Sequence, residues 1–231
     1  MVIIEFVGLP ASGKSTLATS LKEHAATAGF ALAVPSSPRG KRLIGKAVSL
    51  FAYRRALVAA VRALAVDRRP LGQRLLALRW ILTTMAARHM APAGGKENVL
   101  IQAEGLAQRA LLAFLDVHAG RISPRLVEYL DNCPRPDVLV RVELELTASV
   151  ERQMARFAND ESARQGDRFQ VSESQLVSLM ASAEVILGRA ADKFGSAHDV
   201  EVVTLNANDL DSAAADLRHK VALIMRARTR V

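Results

Sequence analysis

Cysteine is almost absent. Cys133 is the single one in 231 residues, so the chain holds no intramolecular disulfide, and with Asn132 and Pro134 beside it the thiol has no ligand cluster and reads as a bystander. Aromatic residues make up 4% of the chain. In the most basic stretch they are Phe51, Tyr53 and Trp80, too few to form the stacking platforms of a single-stranded nucleic-acid binder. No uncharged run approaches the ~18 residues needed to cross a bilayer, because arginines interrupt every long apolar segment. The apolar start, Val2–Val7, carries Glu5 and no basic leader, which argues against a signal peptide. There is no internal repeat and no inter-domain linker, and half of the residues are hydrophobic. These features predict a single cytoplasmic domain spanning 1–231 with one good core.

Acid is missing from one region in particular. Between Arg39 and Arg88 twelve basic residues face the single acid Asp67, within a chain of net charge +8. A local excess of this kind points to an anionic partner: a phosphorylated small molecule, a nucleic acid or an acidic membrane surface. A solvated arginine-rich helix face is the alternative.

What is present begins at Gly8. The stretch GLPASGKS, Gly8 to Ser15, lies between an apolar strand and a helix-forming run. Glycines at Gly8 and Gly13 allow a tight turn that aims backbone N–H groups at phosphate oxygens, and the helix adds its positive end. This is the pattern of a P-loop. It predicts Gly8, Ala11, Ser12, Gly13, Lys14, Ser15 and Thr16 around the phosphates of ATP, with Lys14 on the β- and γ-phosphates and the Ser15 hydroxyl on Mg²⁺. A chance glycine-rich turn is the competing reading.

Strands alternate with helices along the rest. Strands are expected at Val2–Val7, Ala31–Val34, Asn98–Ala103, Asp137–Val142 and Val200–Leu205. Helices are expected from the loop to about Ala28, then over Arg42–Val66, Leu71–His89, Leu106–His118, a short run after Ser123-Pro124, Ala148–Phe157, Glu173–Phe194 and Leu210–Met225. The fold class is α/β: a P-loop NTPase fold with a parallel five-stranded sheet flanked by helices. A basic helical region over 35–96 is read as an acceptor-binding insertion and the polar segment 159–170 as a lid.

Glu104 follows the apolar run Val99–Ile101, where ligands of open α/β sheets gather. A carboxylate there holds a magnesium-bound water or takes a proton from an attacking hydroxyl; capping the next helix is its alternative role. Arg109 lies within reach of a substrate phosphate or on the surface.

With these residues in place, the chain resembles thymidylate kinase and its relatives, the nucleoside and nucleoside-monophosphate kinases. The segment PDVLVRVELELTASVERQMAR, Pro136 to Arg156, is similar to the family's fourth strand and helix, with Glu143, Arg152 and Arg156 at its acid and arginine positions. Asp167-Arg168-Phe169 resembles the trio of the flexible lid, and Val202–Asn208 the last strand and the loop beside adenine. The likeness covers the chain outside Pro35–Lys96. It implies an ATP- and Mg²⁺-dependent kinase in which Lys14, Glu104, Arg152, Arg156 and Arg168 serve catalysis, Asn206 lies near the nucleotide, and a homodimer is a further arrangement kept open. Arg152 and Arg156, four apart, also fit a plain exposed helix face. The chain departs from thymidylate kinase at Glu104-Gly105, where the family has acid then arginine, and at Pro35-Ser36-Ser37-Pro38-Arg39, which replaces an acid-and-proline element. The acceptor is therefore read as a small, anionic molecule such as a nucleotide, contacted by Arg39, Arg54, Arg55 and Arg109.

Overall fold

Val2 to Gly8 is apolar but for Glu5, and all of it save Ile3 is buried, so β1 (Val2–Gly8) can only lie inside a sheet covered on both faces. The computed structural model describes residues 1–32, 51–66, 69–90, 98–116, 121–159, 172–196 and 199–229. After β1 come α1 (Lys14–Thr27), β2 (Ala31–Leu32), α2 (Arg54–Ala65), α3 (Leu71–Met90), β3 (Asn98–Gln102), α4 (Leu106–Phe114), β4 (Leu115–Asp116), β5 (Arg121–Ile122), α5 (Leu126–Asn132), β6 (Val138–Glu143), α6 (Leu146–Asn159), α7 (Glu173–Gly195), β7 (Glu201–Asn206) and α8 (Leu210–Thr229).

The main sheet is parallel in the order β2-β3-β1-β6-β7. In register, Ile4 faces Ile101 on one side and Val138 on the other, and Glu143 reaches Asn206. The fifth strand of the expected sheet is slight: β2 contributes two residues, while Ala33 and Val34 lie outside the described residues. From β1 the chain turns through α1 towards β2 and β3, whereas from β6 it turns through α6 and α7 towards β7. These connections diverge at the carboxyl ends of β1 and β6, the place where open α/β sheets form their ligand crevice.

Strand alternation sorts the core into two layers. Ile4, Phe6, Val138, Val140 and Val142 pack with Leu17 and Leu21 of α1 and Leu217 and Val221 of α8. Val7 and Leu139 meet α2, α3, α4, α5 and α7 on the opposite face. There α2 turns alanines inward, Ala56, Ala59, Ala60 and Ala63, which lets it sit close to α4 and α5.

Glu5 points into that second layer and is wholly buried. Arg88 of α3 donates to its Oε2 at 2.8 Å and also to the Pro134 carbonyl, while the Ala107 N–H donates to its Oε1. Burial pushes the Glu5 carboxyl up from its ordinary value, against the pull of Arg88 and the hydrogen bonds. A Cβ on Gly105 would come within 2.0 Å of the Glu5 side chain, so glycine is required there. Burying two charges is costly, and removing one partner is worse than removing both. Arg88→Met is therefore expected to lower stability by about 3–5 kcal/mol in urea unfolding. Glu5→Gln in the same chain should recover most of that loss, since the amide still accepts from Ala107; a loss below about 1 kcal/mol for Arg88→Met would mean the pair is not charged.

Four expected helices change, one of them α8, which runs on to Thr229 past the expected end at Met225. The helix over Arg42–Val66 is interrupted at Tyr53, whose φ of −114° and ψ of 26° fit no helix and whose ring stands edge-on to His89 at 6.3 Å; Arg42–Leu50 lie outside the described residues. The helix expected to His118 stops at Phe114, because Leu115 takes up extended geometry and pairs with Ile122 in an antiparallel ladder. The helix expected over Ala148–Phe157 starts two residues earlier and ends two later.

No helix among the described residues is long and apolar enough to cross a membrane.

Candidate functional site

The Gly8–Ser15 loop leaves β1 and enters α1 through two left-handed residues, Ala11 at φ 60° and Gly13 at φ 86°. Left-handed geometry costs Ala11 of the order of 1 kcal/mol, and the Ser12 N–H that follows it closes the turn by donating to the Leu9 carbonyl at 3.2 Å. Gly13 is doubly constrained, since a Cβ there would also lie 2.5 Å from Leu210. No side chain caps α1, and its first turn holds no acid. The first N–H groups of the helix, with the exposed hydroxyls of Ser15 and Thr16, therefore face outward beside an uncompensated positive end. Such a concavity suits an anion.

Gly8 plays another part. Its N–H donates to Gln108 Oε1 at 3.1 Å, and a Cβ would approach the Val142 carbonyl to 2.5 Å, so Gly8 serves the close packing of β1 on β6. Ser149 of α6 pins the loop from the other side by donating to the Pro10 carbonyl at 2.6 Å.

Lys14 is folded over the loop. Its Nζ donates to the Gly8 carbonyl at 3.0 Å, the Leu9 carbonyl at 2.6 Å and Ser12 Oγ at 3.3 Å. Burial lowers its pKa from 10.5 to about 8, and the nearby Glu104 charge opposes that fall. Glu104 is half-exposed and accepts an ion pair from Arg109 at 2.8 Å. The Arg109 guanidinium lies over the Trp80 ring, 4.8 Å from its centroid. Helix capping is not what Glu104 does: the N-cap of α4 is Gly105 with no side-chain bond, and the Ala107 N–H is taken by Glu5. Lys14, Glu104 and Arg109 thus form one charged group beside the loop.

On the other flank a cavity of about 390 Å³ opens at the carboxyl ends of β1, β6 and β7, lined in part by Leu9, Glu143, Glu145, Asn206, Asn208 and Glu184 of α7. Asn206 Oδ1 accepts the Asn208 N–H at 2.9 Å, and Arg152 reaches across to donate to the Ala207 carbonyl at 3.3 Å. Arg156, one turn on, is exposed.

Arg54 and Arg55 do not join the group. They open α2 beside Tyr53 and His89, and His89 lies nine residues, roughly 13 Å along α3, from Trp80. Both point outward. Arg88, counted with the basic excess in the sequence, is consumed by Glu5. Arg39 and Arg168, with lid positions 160–170, lie outside the described residues. Cys133 is buried and burial pushes its thiol up, which leaves it protonated and unreactive.

Sequence reasoning missed Gln108, Ser149 and Trp80 as supports of the site. Only Gln108 had a signal, a polar residue on the buried stripe of α4. Among the described residues no group of three or more His, Cys, Asp or Glu side chains could hold a metal ion.

The chain matches no family model and no curated protein.

Proposed function

We propose that the protein is an ATP- and Mg²⁺-dependent phosphotransferase with the P-loop NTPase arrangement, similar to the thymidylate-kinase class, acting in the cytoplasm on a small anionic acceptor such as a nucleotide. One observation carries this reading: the anion-shaped loop and the Lys14–Glu104–Arg109 group stand together at the carboxyl ends of the central strands.

The parts divide the work. The N–H groups of Gly13 to Thr16 and the Lys14 ammonium bind the phosphates of the donor, with Lys14 exchanging its loop carbonyls for phosphate oxygens. The exposed Ser15 hydroxyl and the Glu104 carboxylate are the side chains that would hold a magnesium ion, which would neutralise charge on the transferred group. Glu104 orders a water or accepts the proton of the attacking hydroxyl. Arg109, held over Trp80, orients the acceptor's own phosphate. The cavity beside Asn206 and Asn208 suits the nucleoside end of the donor. Arg152, Arg156 and Arg168 bring positive charge to the equatorial oxygens as the lid shuts out water.

A coupled assay of ADP release, run across nucleosides, nucleotides and phosphorylated metabolites, tests this. At least one anionic acceptor should stimulate turnover about tenfold or more over the hydrolytic background. Hydrolysis that no acceptor stimulates would instead make the protein an ATPase or a nucleotide-dependent switch.

A further inference from the structure

The outer surface of α2 and α3 carries more large apolar side chains than a helix pair that merely covers a core needs. In α2 the inward positions are four alanines and Leu64, while Val58 and Val61 face solvent; α3 buries Ile81 and Met85 but leaves Leu71, Leu75 and Leu76 in solvent, with Trp80 partly covered by Arg109. Val66, in the connection between them, is 79% exposed and Leu71 62%. Of the thirteen large hydrophobic side chains exposed among the described residues, eight lie between Phe51 and Trp80. Burial alone would place the larger aliphatic groups inward. A patch gathered in this way marks a surface that something covers.

Charge says what the covering partner is like. Among described residues 51–66 and 69–90 every charged side chain is an arginine. Arg69 and Arg88 are buried, and Arg74 is spent closing the hairpin, donating to the Leu64 and Ala65 carbonyls at 3.2 and 3.3 Å. Arg54, Arg55 and Arg79 remain exposed among the aliphatic residues, and Arg62, also exposed, stands 3.9 Å from Glu128 of α5. A nucleic-acid surface would use the arginines and leave Val58, Val61, Leu75 and Leu76 in water, and it would call for more stacking rings than Phe51 and Trp80 supply. Exposed arginine interspersed with Leu, Val, Phe and Trp is the composition of an interfacial surface. Its apolar side chains sink to the level of the acyl boundary while its cations stay among lipid phosphates.

We propose that the outer face of the α2–α3 hairpin docks on an anionic phospholipid bilayer, lying on the membrane without crossing it.

Sedimentation of the full chain with sucrose-loaded vesicles tests this. Vesicles of phosphatidylcholine with about one-third phosphatidylglycerol should bind at least about tenfold more protein than phosphatidylcholine alone, and the excess should shrink between about 50 and 200 mM salt. Leu75→Gln/Leu76→Gln should lose about tenfold in binding at the lower salt, with an unchanged circular dichroism spectrum, because both side chains are already exposed. Leu71→Gln, in the first turn of α3, is the second variant should the pair perturb folding. Val185→Gln/Leu223→Gln, exposed elsewhere, should bind as the wild type does. Arg62→Gln/Arg79→Gln should weaken binding and flatten its salt dependence. Equal binding to neutral and anionic vesicles, no binding to either, or full binding by both leucine variants would overturn the proposal. So would tight binding to duplex or single-stranded nucleic acid, or to an acidic protein, that displaces the vesicles and ignores the leucine changes.

Discussion

Lys14→Ala is expected to lower phosphoryl transfer by about a thousandfold or more, the scale of removing a charge aimed at a developing oxyanion. The lysine occupies a costly position. Its ammonium is buried against two carbonyls and a hydroxyl, and its pKa falls from 10.5 to about 8. A lysine whose charged form is disfavoured by folding adds its stability above its ordinary pKa and loses it as the pH falls through about 8. At neutral pH the charged group therefore costs roughly 3 kcal/mol, offset in part by the hydrogen bonds it makes. Lys14→Met, which keeps the buried stem, should accordingly melt no lower than the wild type at pH 7 while being equally inactive. That pairing separates lost chemistry from lost fold. The same shift sets a pH dependence. Phosphate binding needs the protonated amine, so the Kd of the free protein for ATP should rise about tenfold per pH unit above about 8 and be nearly flat below it. Calorimetric titration at several pH values measures this. Unchanged turnover in Lys14→Ala would sink the phosphate-site reading, and a Kd that stays flat to pH 10 would show that Lys14 does not meet the phosphates.

The loop was legible in the sequence because its information is local. Gly13 needs positive φ, the helix follows at once, and both are fixed within eight residues. The strands were legible for a similar reason, since β1 and β6 are continuous apolar runs and β7 alternates. What escaped depends on partners far along the chain. Glu5 was visible as a charge inside an apolar strand, yet its partner Arg88 stands 83 residues away, and that distance hid both the ion pair and the reason Gly105 follows Glu104. For the same reason Arg88 was counted as available to a ligand. The end of α4 was misjudged because the apolar pattern runs on past Phe114, whereas the backbone is captured by a strand partner at Ile122. Charge density along the sequence could not distinguish the two ends of one hairpin. Arg54 and Arg55 sit by His89, while Trp80, an aromatic with no motif around it, is the residue that reaches Arg109.

Glu104→Gln is expected to cut turnover by about a hundredfold while the affinity for ATP stays within a few-fold. The substitution keeps the shape of the side chain and removes its charge. Two structural consequences of that change are small. Glu104 is half-exposed, so its ion pair with Arg109 contributes at most about 1 kcal/mol, and it caps no helix because Glu5 already accepts from the Ala107 N–H. Arg109 keeps its place over Trp80 without it. A loss of turnover can then be read as lost metal-water ordering or proton acceptance. Glu104→Asp divides those two: a shortened carboxylate retains basicity but moves its oxygens back from the loop, so partial recovery favours proton acceptance and none favours a positional demand at the cation. The neighbouring charge adds an internal control. Glu104 holds the Lys14 pKa up, so the Gln variant should shift the pH at which ATP binding begins to fall to a lower value, even where turnover is too slow to follow. Near-normal turnover at saturating Mg²⁺ and ATP would remove Glu104 from the mechanism and leave the acid for phosphoryl transfer to be sought elsewhere on the crevice, with Glu143 at the carboxyl end of β6 as the next side chain to change.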